Sequence, residues 1–369
     1  MPSVAINQRV PRIFAAGQPS AVAAEGIADA ALSLSTECEN TCNPSFYLAS
    51  IEKRAWIPRV VVVAQAGSTL GVVYAKERKF AGIPTGLIYA DATLDAMVVA
   101  RSEDRERVFE LAIRQLLNRR GFLGLRILVP PAGYENRAIE RILASGRLEV
   151  RRAGVENHSV LELTPSYESF LAGLGYRTRR NCRYYRRRFE TIGEYVPDVS
   201  FAEFESVAMR MLKQSVVGAQ RNRVERALRM LSVAGRPILA GLRSRNGEYL
   251  SIIGGWHEFD RAVVVFQMNN EREHPQSSLS LVARGYLIET LISQGARKLL
   301  FWAGAGPPLD RYCYFLPTTR IHLDPPGLAS RALRGLAARA SAFLPRRLAG
   351  FASWIDPGAM NPNDPEPLS

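Results

Sequence analysis

Lysine is nearly missing from this chain: Lys53, Lys76, Lys79, Lys213 and Lys298 are its only lysines, so 43 of the 48 Lys+Arg residues are arginine. Such a bias, beside many alanines, reflects coding composition as readily as a demand for guanidinium chemistry, so a lone arginine carries little weight. Cysteine is scarce as well. Four in 369 residues do not build a disulfide framework, and Cys38, Cys42, Cys182 and Cys313 have no CxxC or Cys/His pairing at zinc-ligand spacing. Free thiols in a reducing cytoplasm, and no metal, are the expectation. Long apolar runs are absent: Val60 to Ala64 is the longest of note, against the roughly 20 residues a membrane helix needs. The first 30 residues hold no continuous apolar h-region and read as a loosely ordered tail, not a signal peptide.

With 47% apolar and 22% charged residues, the chain has material for a core and is neither disordered, collagen-like nor a disulfide-stapled miniprotein. Its length suggests about two domains. The net charge of +13 is unevenly spread. Seven arginines and no acid fall in 176–189, five arginines and no acid in 328–349, and the remainder is almost balanced.

From Arg59, VVVVAQAGSTLGVVYA reads as two β-branched runs joined by the turn Ala66-Gly67-Ser68, a hairpin signal. Helical spacing continues from Arg105 to Arg120, with Val108, Leu111, Ala112, Gln115 and Leu116 on one face and Gly121 as the stop. A strand at Leu125 to Val129, a helix at Asn136 to Ala144 and a strand at His158 to Leu163 complete the first half. A comparable order returns later. Helices at Phe201 to Gln214 and Asn222 to Val233 lead into the strands PILAGL, YLSIIGGW and AVVVFQM, a polar loop from Asn270 to Ser280, an apolar helix from Leu281 to Ser293, and the strand KLLFWAG.

The joining segment, 164–192, places Thr178, Cys182, Tyr185 and Phe189 at helical spacing, with Arg177, Arg179, Arg180, Arg183, Arg186, Arg187 and Arg188 around the rest. Such a helix repels itself unless something anionic covers it. Residues 328–349 read as a second basic amphipathic helix, which either covers an edge of its own domain or lies on an anionic membrane surface. Residues 356–369 read as disordered.

The segment SYESFLAGLGYRTRRNCRYYRRRFE, the three-strand meander, the helix ending in Gln-Gly and the run FWAGAGPPLDRYCYFL together resemble one family. It is the GNAT N-acyltransferase superfamily, in the tandem form shared by Fem-type aminoacyl transferases and by acetyltransferases of cellulose and exopolysaccharide biosynthesis. The matching linker positions are Phe170, Leu171, Leu174, Arg177, Arg179, Arg180, Asn181, Arg186, Arg187 and Phe189, and the likeness runs from about Asn43 to Leu323. It implies an α+β fold of two GNAT-like halves, each a mixed, mainly antiparallel sheet flanked by helices, joined by the Arg-rich helical linker. The expected organisation is a tail at 1–42, a degenerate first half at 43–164, linker and second half at 165–326, a basic helical tail at 327–355, and disorder after it.

The resemblance also implies a site in the second half. In the family, the loop after the fourth strand and the start of the next helix hold the pyrophosphate of acyl-CoA on backbone N–H groups. Here Gln276, Ser277, Ser278 and Ser280 occupy that place, as phosphate donors or simply as helix caps. The family's usual glycines, which let the backbone approach a ligand closely, are absent from this loop. The donor to the reacting carbonyl falls near Gln267 to Asn269. Glu271 and His274 are candidate bases, with His257 and Glu258 in the preceding turn, and Tyr312, or Tyr314, stands where the family uses a tyrosine as acid. The family's lysine after that tyrosine is replaced by Cys313, for which His322 is the only nearby histidine.

Three functions are compatible with these features. The first is an N-acyltransferase moving an acyl group from acyl-CoA or the phosphopantetheine of an acyl carrier protein to an amine or hydroxyl of a sugar, lipid or peptide. The second is a Fem-type transferase whose donor is an aminoacyl-tRNA bound by the linker arginines and tyrosines. The third is a binding protein on the same frame at a membrane surface, its chemistry lost. The expected location is the cytoplasm, with a peripheral membrane contact through 328–349 as the variant.

Overall fold

The computed structural model describes residues 12–14, 40, 43–52, 54–65, 68–80, 82–91, 98–144, 148–214, 221–270, 277–302 and 304–325. The basic tail helix expected at 328–349, and the disordered end after it, lie outside the described residues.

Along the first stretch of chain run β1 (Arg12–Phe14), α1 (Pro44–Ser50), β2 (Trp56–Gln65), β3 (Ser68–Phe80), β4 (Ile83–Asp91), β5 (Val98–Ala100), α2 (Arg105–Leu117), β6 (Gly124–Val129), α3 (Tyr134–Leu143) and β7 (Glu149–Glu162). Next come α4 (Tyr167–Gly173), α5 (Tyr176–Glu190), β8 (Gly193–Val196), α6 (Phe201–Gln214), α7 (Arg221–Leu231), β9 (Pro237–Ser244), β10 (Tyr249–Glu258) and β11 (Arg261–Asn269). The last are α8 (Leu279–Ser293), β12 (Lys298–Phe301), a 3-10 turn (Leu309–Tyr312) and β13 (Tyr314–Asp324). None of the described helices is long and apolar enough to cross a membrane. The chain forms two compact units: Met1–Leu34, Ile51–Gly154 and Thr318–Ser369 make the first, Ser35–Ser50 and Val155–Pro317 the second.

In the first unit, β2 and β3 pair antiparallel from Trp56↔Arg78 to Gln65↔Ser68, which is the hairpin the β-branched runs predict. β1 adds to β2, β4 to β3, and β6 then runs parallel to β4, as a strand reached through the crossover helix α2 can. α2 buries Val108, Phe109, Ala112, Ile113 and Leu116 against Val61, Val73, Ile88 and Ile127. Val108, Ala112 and Leu116 of the expected face are buried, and Phe109 and Ile113 join them, while Leu111 and Gln115 stay half-buried at its edge. The helix also ends at Leu117 rather than Arg120, since Arg119 turns away to pair with the buried Glu77. Glu77 collects Arg59 Nε at 2.7 Å and the Gly86 N–H at 2.8 Å as well. Gly86 has φ +76°, and a Cβ there would stand 1.8 Å from the Gly121 carbonyl oxygen, so the close approach of these two turns requires glycine.

The second unit repeats the plan. β9, β10 and β11 form an antiparallel meander, α8 crosses over, and β12 lies parallel to β11. β8 pairs with β9, and β7 with β12 from Lys298↔Glu162 to Phe301↔Ser159. Alternation sorts the two faces of this sheet. Ile253, Ala262 and Val264 pack with α8 and with Phe170, Leu171 and Cys182 of α4 and α5. Gly254 faces the other way, toward Phe204 of α6 and Leu231 of α7, while Trp256 meets Phe46 of α1. Each unit is thus a mixed, mainly antiparallel sheet with flanking helices. The strand after each parallel pair changes unit: β7 from Val155 belongs to the second, and β13 from Thr318 to the first, where it pairs with β6.

Candidate functional site

The second unit opens where β11 and β12 part. Their parallel pairing runs from Arg261↔Lys298 to Val264↔Phe301, and the last backbone bond joins Trp302 N–H to the Val264 carbonyl at 2.9 Å. At that point β11 carries a bulge: Gly254 faces Phe266 and Gly255 faces Val264, leaving Val265 as the extra residue. A bulge bends its strand and re-aims the side chains beyond it. Gly255 permits it, because a Cβ there would lie 2.0 Å from the Val263 carbonyl oxygen. Past the bulge, residues 266–269 keep β10 on one side and face no paired strand among the described residues on the other. The start of α8 stands at this fork.

The polar groups in the fork are linked. Asn269 Oδ1 accepts from Ser251 Oγ at 2.7 Å and from Gln267 Nε2 at 3.0 Å, and Gln267 Nε2 also reaches the Ser280 carbonyl at 3.2 Å. Arg284 Nε donates to Gln267 Oε1 at 2.8 Å. The structure thus brings together Gln267, Asn269 and Ser280 of the sequence-predicted set, and adds Ser251 and Arg284. The latter two were missed. An arginine four residues after Ser280, inside an otherwise apolar helical run, was the available signal.

The other predicted residues fall into three groups. Glu271, His274 and Gln276 lie outside the described residues. Ser277 is buried, and Ser278 takes the N-cap position of α8 with φ 44°, its carbonyl receiving the Leu281 and Val282 N–H groups while its hydroxyl makes no cap bond. Tyr312 sits beside the start of the linker helix. Its hydroxyl accepts the Gly175 N–H at 2.9 Å and donates to Thr178 Oγ1 at 3.2 Å, so it caps the start of the linker helix α5. Tyr314 donates to Glu162 at 2.9 Å, and Glu258, fully buried, accepts from Trp256 Nε1 at 3.1 Å. Cys313 is no thiolate: burial, then Asp310, pushes its thiol up to about 11, and Sγ donates to the Leu309 carbonyl.

α5 has the predicted face. Cys182 and Phe189 are buried, Thr178 and Tyr185 half-buried, and its arginines divide into two sets. Arg186 is clamped by Glu190 and Glu289, and Arg183 pairs with Glu168 at 2.7 Å, which relieves the self-repulsion the sequence implied. Arg177, Arg180 and Arg187 have no ion pair among the described residues. Tyr176, Arg179, Arg180, Arg183, Tyr184 and Arg187, on one helical face, line a groove of about 360 Å³.

No protein-family model matches the sequence, and no curated protein matches it. Solved structures do. FemX aligns over 74% of this chain and 90% of its own at 10% identity, with a TM-score of 0.54. L-PGS from Bacillus licheniformis aligns over 84% and 95% at 9% identity, TM-score 0.52. A C-terminal domain (DUF2156) assigned to a putative lysylphosphatidylglycerol synthetase of Agrobacterium fabrum aligns over 86% and 96% at 12% identity, TM-score 0.51. At these identities the likeness is one of fold, and the fold of this chain is GNAT-like, resembling that of the Fem-type transferases.

Proposed function

We propose that this protein is an acyltransferase that moves an activated acyl group onto an amine or hydroxyl acceptor at the fork between β11 and β12. The bulge at Val265 carries this reading, because it frees a strand edge beside the start of a helix. Acyl transfer needs a donor to the carbonyl oxygen as it gains charge, and a fixed N–H on that edge between Gln267 and Asn269 is suited to supply it. Ser277 and Ser278, at the positive end of α8, suit an anionic part of the donor. Glu271 and His274, in the segment after β11, are the proposed bases for the acceptor's proton. Tyr312 is assigned to holding α5 instead of to proton transfer.

The donor is acyl-CoA, an acylated carrier protein or an aminoacyl-tRNA. The basic, tyrosine-bearing groove of α5 favours the last as a second reading, since Arg and Tyr side chains serve phosphates and unpaired bases alike. Titrating the full chain with each donor while following thermal unfolding tests the proposal. A true donor raises the midpoint by linkage; no rise with any of the three removes the reading.

A further inference from the structure

One side chain spans the fork. Gln267 lies three residues past the last β11–β12 pair and Ala305 four residues past Phe301. Arg284, projecting from α8, reaches both: Nε donates to Gln267 Oε1 at 2.8 Å, and Nη1 donates to the Ala305 carbonyl. Its guanidinium carbon lies 5.6 Å from the Phe301 ring centroid. A Cβ on Gly306 would come within 3.0 Å of Nη1, so the group is seated against the backbone of that loop. Gln267 is in turn held by Asn269 and by the Ser280 carbonyl.

A phosphopantetheine arm is an extended chain with two amide groups. To bring a thioester into the fork it has to lie along the free edge of β11, as an added strand does, exchanging main-chain hydrogen bonds. The bridge from Gln267 to Ala305 crosses that path. We infer that Arg284 is a donor-selecting latch, which keeps phosphopantetheine thioesters out of the fork and leaves it to an acyl ester donor whose reactive end enters without such an arm. This inference rests on the fork being the donor site.

Binding of coenzyme A and acetyl-CoA to the full chain, measured by calorimetry, tests it with wild type, Arg284→Ala and Arg284→Lys. The expected result is affinity at least about tenfold tighter for Arg284→Ala than for wild type, with Arg284→Lys between them, because lysine keeps the charge but cannot bridge both acceptors. The direction is diagnostic, since removing a cation from an anion's path otherwise weakens binding. Wild type binding as tightly as Arg284→Ala, or no gain in either variant, overturns the latch. Should Arg284→Ala fail to fold, Arg284→Lys decides alone: tighter binding than wild type supports the latch, and equal or weaker binding overturns it. The readout is binding and not turnover, so absence of acyl transfer from every donor would remove the proposed function without producing either outcome for the latch.

Discussion

Arg186 lies over the face of Tyr286, its guanidinium carbon 4.1 Å from the ring centroid, and reaches Glu289 at 2.7 Å. The Tyr286 hydroxyl donates to Glu190 at 2.9 Å, and burial followed by that bond pushes it up to about 12. Arg186 therefore ties α5 to α8 through a cation–π contact and the Glu289 carboxylate, and Glu190 of α5 adds the bond from Tyr286. Of the groove arginines, Arg183 pairs with Glu168 of α4, whereas Arg180 and Arg187 have no ion pair among the described residues, so the linker helix has one edge built for packing and one with cations to spare.

Replacing Arg186 by alanine is expected to cost about 1–3 kcal/mol, for a half-buried cation–π contact and a charge-assisted hydrogen bond. Arg180→Ala and Arg187→Ala, each without an ion pair among the described residues, stay within about 0.5 kcal/mol. Denaturant unfolding checks the ranking, and equal costs at the three positions would remove the distinction. For RNA binding the order reverses: the groove pair should matter and Arg186 should not.

Tyr312→Phe removes one acceptor from the Gly175 N–H and one donor to Thr178. The expected loss is about 1–2 kcal/mol of stability, with acyl-transfer rate and its pH profile unchanged. A large fall in kcat with stability intact would restore this tyrosine to the chemistry.

How far the sequence reaches depends on where the signal sits. The β2–β3 hairpin and the stripe Thr178, Cys182, Tyr185, Phe189 were legible because periodicity and turn residues act within a few positions. β13 was not, since Tyr314 to Asp324 mixes Thr318, Arg320 and His322 with apolar residues and acquires its register only from β6, far away in sequence. β4 escaped for a similar reason: Gly86 and Thr85 interrupt its apolar run, and its pairing with β6 depends on the Gly86–Gly121 approach. At the fork, Gln267, Asn269 and Ser280 were found through the family likeness, whereas Arg284 was hidden in a helix whose apolar character drew the reading toward packing.

Glu77 is 1% exposed and serves Arg59, Arg119 and the Gly86 N–H together. Glu77→Gln leaves two guanidinium groups without their carboxylate. About 3–5 kcal/mol of destabilisation is expected. A melting temperature equal to that of wild type would contradict it.

His322, 6% exposed, is held down to about 3 by burial and then by the charges of Arg126, Arg151 and Arg320. The folded state keeps it neutral while the unfolded chain protonates it near pH 6.5, so below that pH the unfolded state binds more protons and stability falls as pH falls. The window is from about pH 6.5 down to about pH 3. Between pH 6.5 and 5 the contribution is about 2 kcal/mol at about 1.36 kcal/mol per pH unit. His322→Asn should unfold with a shallower acid dependence by that amount; an unchanged slope would show that this imidazole does not carry it.

Acyl transfer at the fork of the second unit is tested most sharply by single-turnover transfer of a labelled acyl group. Wild type and the double variant Asn269→Ala/Ser280→Ala are compared with acyl-CoA, acyl carrier protein and aminoacyl-tRNA donors and a mixture of amine and hydroxyl acceptors. Label is expected on an acceptor from at least one donor, with a rate at least about tenfold lower in the double variant, or about 1.4 kcal/mol of barrier. Equal rates in the two proteins, or no labelled product from any donor, would show that the fork is not where the chemistry occurs.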